Sequence, residues 1–531
     1  MRIRLPSRPL LSSPTTSCRR GFYHAFPRAR IPNHPIFENS LEKTLEEHRS
    51  ANRQSLIRKV KVGPRVAPTP EPSDPSPVPP EPSVEEAPKP KYPHQDSTRK
   101  RSSETGKSST RLSGGRKGSA YQRIKWRPRG KGEQRPWLVH VGPHAFPSGF
   151  SQLDAEIRAL ERYMTPTSLE TEAIHQVVSE ITQIVDKSVR CPLQIIGSRR
   201  TGFQMSHSTL DLMLHVTDPA RSPNSIRKPS ATRLKNLRHY RKLLVAVSSA
   251  LKQDPNYTVN IDEAPKAGST AIHRPTGLPI HLCCGEELPA YVEYTQDFLA
   301  EYPSLRPLYI TTRLILETRG LFGSAKSSID PVALQIILAA FLKINHGRFP
   351  RSQAGASYAE PLLAFLHTFG SGIDLTTTGV AVDPPGFFNA DSVKAAAATP
   401  TTPSTEYDAE DDLPAHIRGQ RALITAKKNA AVQGNKALAE RLCVQDPANY
   451  LRDLGGSCMR TVEIQSAFEN AYTRLSAAID NWEPSDPRDG GPLSRSILSS
   501  ALRANFEDFE ARRTKIVGNG EPSDQPLGTR K

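Results

Sequence analysis

The sequence predicts an α+β protein: a unit of mixed strands and helices, then a mostly helical unit, behind an N-terminal region unable to build a core. Three observations predict it. Apolar residues recur at helical spacing from residue 151 onward and again after residue 308. Short apolar runs of strand length cluster between residues 191 and 283. Proline and basic residues dominate the stretch before them, where no apolar periodicity is found.

The N-terminal region is read first. Residues 1–37 hold seven Arg and no acid, and are rich in Ser and Thr. That is the composition of a mitochondrial transit peptide, with cleavage expected near 22–23 and delivery to the matrix. Pro6, Pro9 and Pro14 interrupt any amphipathic helix there. Residues 38–58 read as a short polar helix. Residues 59–135 read as a disordered linker, Pro-rich over 63–96 and then basic, with a net charge of +11 over 98–135. The basic run is either a solvated linker or an RNA contact, with Tyr121 and Trp126 available for base stacking. The whole chain carries +17, so everything outside these two segments sums to about −1. The basicity is therefore assigned to the two segments and not to the folded body.

Composition excludes several classes. With 36% apolar residues and 48 Pro in 531 residues, the chain is not globular throughout. No apolar run approaches the ~20 residues of a membrane span. The six Cys show neither a CxxC pair nor a zinc-finger spacing, which argues against a disulfide framework. Cys283 and Cys284 beside His281 are read as strand residues facing opposite ways, with a metal site as the lesser alternative.

In the body, residues 151–187 read as two helices broken at Pro166–Thr167. The first has Leu153, Ile157, Leu160 and Tyr163 on one face; the second has Ile174, Val177, Val178, Ile181 and Val185. Strands are expected at 191–196 and 210–216, a basic helix at about 231–253, and strands near 257–261, 270–273 and 279–283. Helices follow at 308–319, 331–343, 361–369, 416–442 and 463–480. Residues 384–414 read as a disordered insertion.

Between the first two strands lies IIGSRRTGFQMSHSTLDLML. It resembles the signature of the DNA polymerase-β-like nucleotidyltransferases, and more closely that of the template-independent poly(A) polymerases and terminal uridylyltransferases. In that pattern a strand leads to Gly-Ser, a second Gly, and then Ser-Asp-x-Asp. Gly197, Ser198, Gly202, Ser208 and Asp211 match, whereas Thr209 stands where the first Asp belongs. Glycines let a backbone approach a triphosphate, and Ser hydroxyls and N–H groups bind its oxygens. Carboxylates at i and i+2 of a strand share a face and hold two Mg²⁺ ions. The third carboxylate falls on GLPIHL in this alignment, and there His281 replaces it. A misregistered Asp262, or help from Asp218 or His207, is the alternative source of a ligand.

The resemblance covers most of residues 151–480. RPLYITTRLILETRGLFG resembles the helix whose Lys touches the triphosphate, and Arg313 falls at that place. The base-holding Ser-Ser-Tyr of the family aligns only poorly, near Asp330–Val332. EPLLAFLHTFG is similar to a helix of the poly(A)-polymerase-associated (PAP-associated) domain. LCVQDPANYLRDLGG is similar to the closing segment of that domain, with Gln445, Asp446, Pro447, Asp453 and Gly455 matching and Asp453 implied as a base reader. The resemblance thus implies a nucleotidyltransferase palm at 151–290, a helical PAP-associated domain at 291–480, and a tail at 481–531 that is largely disordered at its end. Implied ligands are Mg²⁺, a nucleoside triphosphate and RNA.

Mg²⁺ prefers oxygen ligands, so a threonine hydroxyl and an imidazole are poor substitutes for two carboxylates. Three functions follow from the sequence: a polymerase-like protein that binds RNA or a mitochondrial complex with impaired catalysis; an active transferase of A or U to mitochondrial RNA 3′ ends; or a structural subunit of a mitochondrial ribosome or RNA-processing assembly.

Overall fold

The computed structural model describes residues 124–126, 132–142, 146–216, 234–261, 268–323, 327–349, 357–398, 413–484 and 496–518. The expected transit peptide, the polar helix at 38–58, Tyr121, Asp218 and Asp262 lie outside the described residues.

Helix α1 (Gly149–Met164) starts at Ser148, whose side chain accepts from the Ser151 amide. Helix α2 (Ser168–Ser188) starts at a capping box in which Thr167 and Glu170 satisfy each other's backbone N–H. This cap is the physical content of the Pro166–Thr167 break. Strand β1 (Leu193–Ile196), the single turn α3 (Ser198–Thr201) and strand β2 (Leu210–His215) follow. Then come α4 (Leu234–Gln253), β3 (Tyr257–Ile261), β4 (Ser269–His273) and β5 (Pro279–Gly285). The five strands form one mixed sheet in the order β1-β2-β5-β4-β3, with β2 and β5 parallel and the other pairs antiparallel.

Alternation along the strands separates two chemistries. Leu210, Leu212 and Leu214 of β2, with Ile280 and Leu282 of β5, join a core with Ile174, Val177, Ile181 and Val185 of α2 and Tyr240, Leu244, Val247 and Leu251 of α4. The residues between them, Asp211 and His281 among these, face the other side of the sheet.

The helical body comprises α5 (Ala290–Glu301), α6 (Leu305–Glu317), α7 (Pro331–Ile344), α8 (Ala359–His367) and α12 (Thr461–Asp480). Between α8 and α12 lie the ribbon β6 (Gly379–Val382)–β7 (Pro385–Phe388), α9 (Ala390–Ala398), α10 (Ala415–Val432) and the short α11 (Lys436–Ala439). Two further helices, α13 (Ile497–Leu502) and α14 (Glu507–Val517), come last.

Four sequence expectations change. Helix α1, placed by sequence in the palm, packs its Leu153, Ile157 and Leu160 into the core of the helical body. Part of the expected 59–135 linker is folded: Trp126 is only 6% exposed and packs against His207, Phe506 and Phe509, so it is not available to stack on a base. The expected 481–531 tail supplies α13 and α14, and Phe506, which caps α14, and Phe509 within it cover that tryptophan. The start of the expected 384–414 insertion is β7 and α9, because Phe388 and Val393 pack on Leu423, Ile424 and Cys443.

Backbone bonds join the two ends of the described body. The Asn505 amide donates to the Trp126 carbonyl at 2.6 Å, and the Gln134 amide donates to the Ala504 carbonyl at 3.0 Å. Glu156 of α1 anchors α13, accepting from the amides of Ile497 and Leu498 at 2.9 and 3.0 Å and from the Ser496 hydroxyl. Among the described residues no helix is long and apolar enough to cross a membrane.

Candidate functional site

The chain leaves β1 at Gly197 with φ +67°, a left-handed conformation that favours glycine. A Cβ there would collide with the Asp211 carboxylate, so the glycine is what lets this backbone and that aspartate meet. Gly202 ends α3 with φ +85°, and a Cβ there would strike Leu299. Ser198 is half-buried at the first position of α3. Gly197 and Asp211 thus meet where β1, α3 and β2 join, with Ser198 next to Gly197 in the chain and Gly202 closing α3.

Asp211 pairs in register with Ile196 on β1 and with His281 on β5. The His281 Nδ1 stands 3.7 Å from Asp211 Oδ1, with side chains 41% and 28% exposed. Gly268 across the sheet leaves room for that imidazole, since a Cβ there would strike His281 Nε2. The register supports the alignment made from sequence: the residue beside Asp211 on β5 is a histidine. Thr209 is half-buried, two residues before Asp211.

Arg199 adds a positive charge. Its guanidinium donates to the Ser208 carbonyl at 2.8 Å and acts electrostatically on Asp211. Burial pulls Arg199 down to about 10, with Asp211 and Glu170 opposing. Burial pushes Asp211 up to about 6, against the pull of His281 and Arg199.

Tyr291, at the start of α5, also belongs to this junction and was missed in the sequence. It shares a hydrogen bond with the Gly197 backbone, and burial followed by the Asp211 charge pushes its phenol up to about 12. A tyrosine opening a helix carries no motif; only the packing of α5 against α3 places it here.

Three residues assigned by resemblance have other work. Arg313 is turned into the core: its Nε donates to Glu317 Oε1 at 2.7 Å, its Nη2 meets His207 at 3.3 Å, and its guanidinium lies over Phe322. That geometry corrects the triphosphate role given to Arg313, because a guanidinium only 8% exposed and paired with a buried acid does not reach the cleft. Ser208 is 4% exposed, and its hydroxyl accepts from the Met205 amide at 2.9 Å, which pins the signature loop instead of meeting a ligand. Asp453 accepts from the amides of Val444 and Gly455 at 3.0 and 2.9 Å and pairs with Arg441 at 3.2 Å, so its carboxylate shapes the 444–455 loop. His207, the alternative metal ligand, is buried against Glu317 at 3.2 Å. Asp330 caps α7 by accepting from the Val332 amide at 2.8 Å.

A two-ion site needs several anionic oxygens around one point. Among the described residues the junction offers one carboxylate, a hydroxyl and an imidazole, with a guanidinium behind them. Among the described residues no group of three His, Cys, Asp or Glu side chains is placed to hold a metal ion. The donor set does not fit a two-Mg²⁺ cage.

A mixed sheet entered through a glycine turn, and joined to a helical body, is a fold that this chain shares with a poly(A)-polymerase core. The polymerase core of TRAMP, an RNA surveillance complex, superposes at a TM-score of 0.53 with 16% identity, covering 70% of this chain and 99% of that one. A structure of mtPAP in complex with UTP matches at a TM-score of 0.46 and 12% identity, over 74% of this chain and 80% of that one. In sequence, Poly(A) RNA polymerase cid14 of Schizosaccharomyces pombe (strain 972 / ATCC 24843) is 22% identical over 356 residues. That match takes in 64% of this chain and 43% of cid14, so the chain spans less than half of that relative's length. No protein-family model matches the chain.

Proposed function

We propose that this chain is an RNA-associated protein that keeps the poly(A)-polymerase core and lacks two-metal nucleotidyl transfer. The observation that carries the reading is the side chain beside Asp211 in register: a histidine on β5 at 3.7 Å, with Thr209 two residues upstream. Where an active cleft gathers negative oxygens to hold cations, the described residues here set a histidine and an arginine around Asp211. Removing one electrostatic element from a preorganised site typically costs a factor of about 10² to 10³ in rate. Two absent carboxylates therefore take the reaction close to background. On this reading the glycine junction binds a nucleoside triphosphate or an RNA terminus without the ions that would activate them. The transit-peptide composition of residues 1–37 supports a mitochondrial location and a partner in a mitochondrial RNA assembly.

The test is primer extension by the purified protein lacking residues 1–22, with each nucleoside triphosphate and Mg²⁺ or Mn²⁺. No extension above background is expected. Robust tail addition that is abolished by Asp211→Ala would overturn the reading in favour of an active RNA 3′-nucleotidyltransferase. Import of the full chain into isolated mitochondria, with loss of the leader, tests the location.

A further inference from the structure

The helix that covers the back of the sheet is charged in one sense only. Helix α4 reads LKNLRHYRKLLVAVSSALKQ, with five Lys or Arg and no acid. Its apolar stripe, Tyr240, Leu244, Val247 and Leu251, is spent in the core beneath it. Arg238, Arg241, Lys242 and Lys252 are exposed on the opposite side. At 100° per residue these four fall on one face, and at 1.5 Å per residue they extend over about 21 Å.

Among the described residues these cations have no opposite charge paired with them. Among the described residues none of the four makes an ion pair, hydrogen bond or ring contact. Nearby acids are engaged elsewhere: Glu286 accepts from the Tyr240 hydroxyl at 3.0 Å under the helix, and Glu180 meets Tyr257 and His273. Asp254, just past the helix, accepts from the Asn256 amide at 2.8 Å. Uncompensated like charges on one face repel each other, a cost that a polyanion would relieve. Composition alone, which places the excess basicity in residues 1–37 and 98–135, thus hides a segregated patch within the body.

We infer that the outer face of α4 docks single-stranded RNA through its backbone phosphates. This rests on the RNA-associated reading above and adds a place to it. A lipid surface fits poorly, because the apolar side of α4 is buried and, among its described residues, Val245, 40% exposed, is the one large apolar side chain offered outward. An extended phosphate chain fits a row of cations on a straight rod, and guanidinium groups are well matched to phosphate oxygens. The face is independent of the cleft: Leu210, Leu212 and Leu214 point toward α4, while Asp211 points to the other side of the sheet.

The test is fluorescence anisotropy of a labelled single-stranded RNA with the full chain over a series of KCl concentrations. Each phosphate contact contributes about 0.7 to the slope of log affinity against log salt for single strands. The triple variant Arg238→Glu, Arg241→Glu, Lys242→Glu should lower that slope by about 2 and weaken binding at least tenfold near 0.1 M salt, with an unchanged circular dichroism spectrum. Lys436→Glu, an exposed cation of the helical body, should leave both as in the wild type. If the wild type binds and the triple variant binds equally with the same slope, the α4 surface is overturned while the RNA-associated reading stands. If the wild type binds no RNA, both fall. If polyglutamate of matched charge binds as tightly as RNA and is lost in the same variant, the face belongs to an acidic protein and the RNA assignment is overturned.

Discussion

Glu317 holds the signature loop to the helical body, and its replacement by glutamine is the perturbation with the most calculable outcome. Its carboxylate takes Arg313 Nε at 2.7 Å and His207 Nε2 at 3.2 Å, with the side chain 13% exposed. Burial alone would raise its pKa, but Arg313 and then His207 outweigh burial and hold it at about 2, against an ordinary 4.5. At about 1.4 kcal/mol for each decade of proton activity, that displacement corresponds to about 3 kcal/mol of folding free energy. Breaking a buried ion pair from one side costs about 3–5 kcal/mol by a separate route, because the partner is left buried and uncompensated. The two values agree in size. Glu317→Gln should thus lose about 3 kcal/mol at pH 7, measured by urea unfolding. The sign with pH follows from a depressed acid: the contribution is complete above about 4.5 and disappears as the pH falls through about 2. The wild type should therefore lose stability across that acid range, while the variant, lacking the carboxylate, shows a smaller loss there. A variant within 1 kcal/mol of the wild type at pH 7 would refute the claim that this pair is buried and mutually dependent.

Three further outcomes follow from the same reasoning. Glu156→Ala removes the acceptor of the Ile497 and Leu498 amides and the Gln152 amide, leaving buried donors unpaired; about 3–5 kcal/mol should be lost, and limited proteolysis should cut first near residue 496. Gly197→Ala forces a side chain into φ +67° and against Asp211, so a loss of about 1–3 kcal/mol in thermal unfolding is expected, and an unchanged melting temperature would contradict the tight Gly197–Asp211 approach. The double variant Thr209→Asp, His281→Asp restores three acids at adjoining positions, and Mn²⁺ binding followed by electron paramagnetic resonance should appear in it and be absent from the wild type; equal binding by both would show that the native junction already holds the ion.

The sequence by itself determined the order of elements and which residue types occupy the signature segment. Apolar spacing located α1, α2 and the strands, since burial of one face imposes a period of 3.6 or 2 on any chain. The Gly197-to-Asp211 segment was legible because a glycine turn between two apolar strands leaves few alternatives. Thr209 needed no structure to be noticed. The identity of the residue beside Asp211 on β5 did depend on register, and the pairing Asp211↔His281 decided it. Tertiary structure alone decided the uses of the polar residues. Arg313, Ser208 and Asp453 look like ligand-binding groups in one dimension, yet each satisfies a buried partner close by, which sequence spacing does not reveal. Trp126 and Phe506 lie far apart in the chain and meet through long-range packing, so a segment with linker composition became part of the core. The charge on α4 was visible as composition, but only burial of its apolar stripe showed which side the cations take and that, among the described residues, no acid pairs with them. Local patterns follow from what each segment must bury, whereas the role of a polar side chain depends on neighbours that the fold brings from elsewhere.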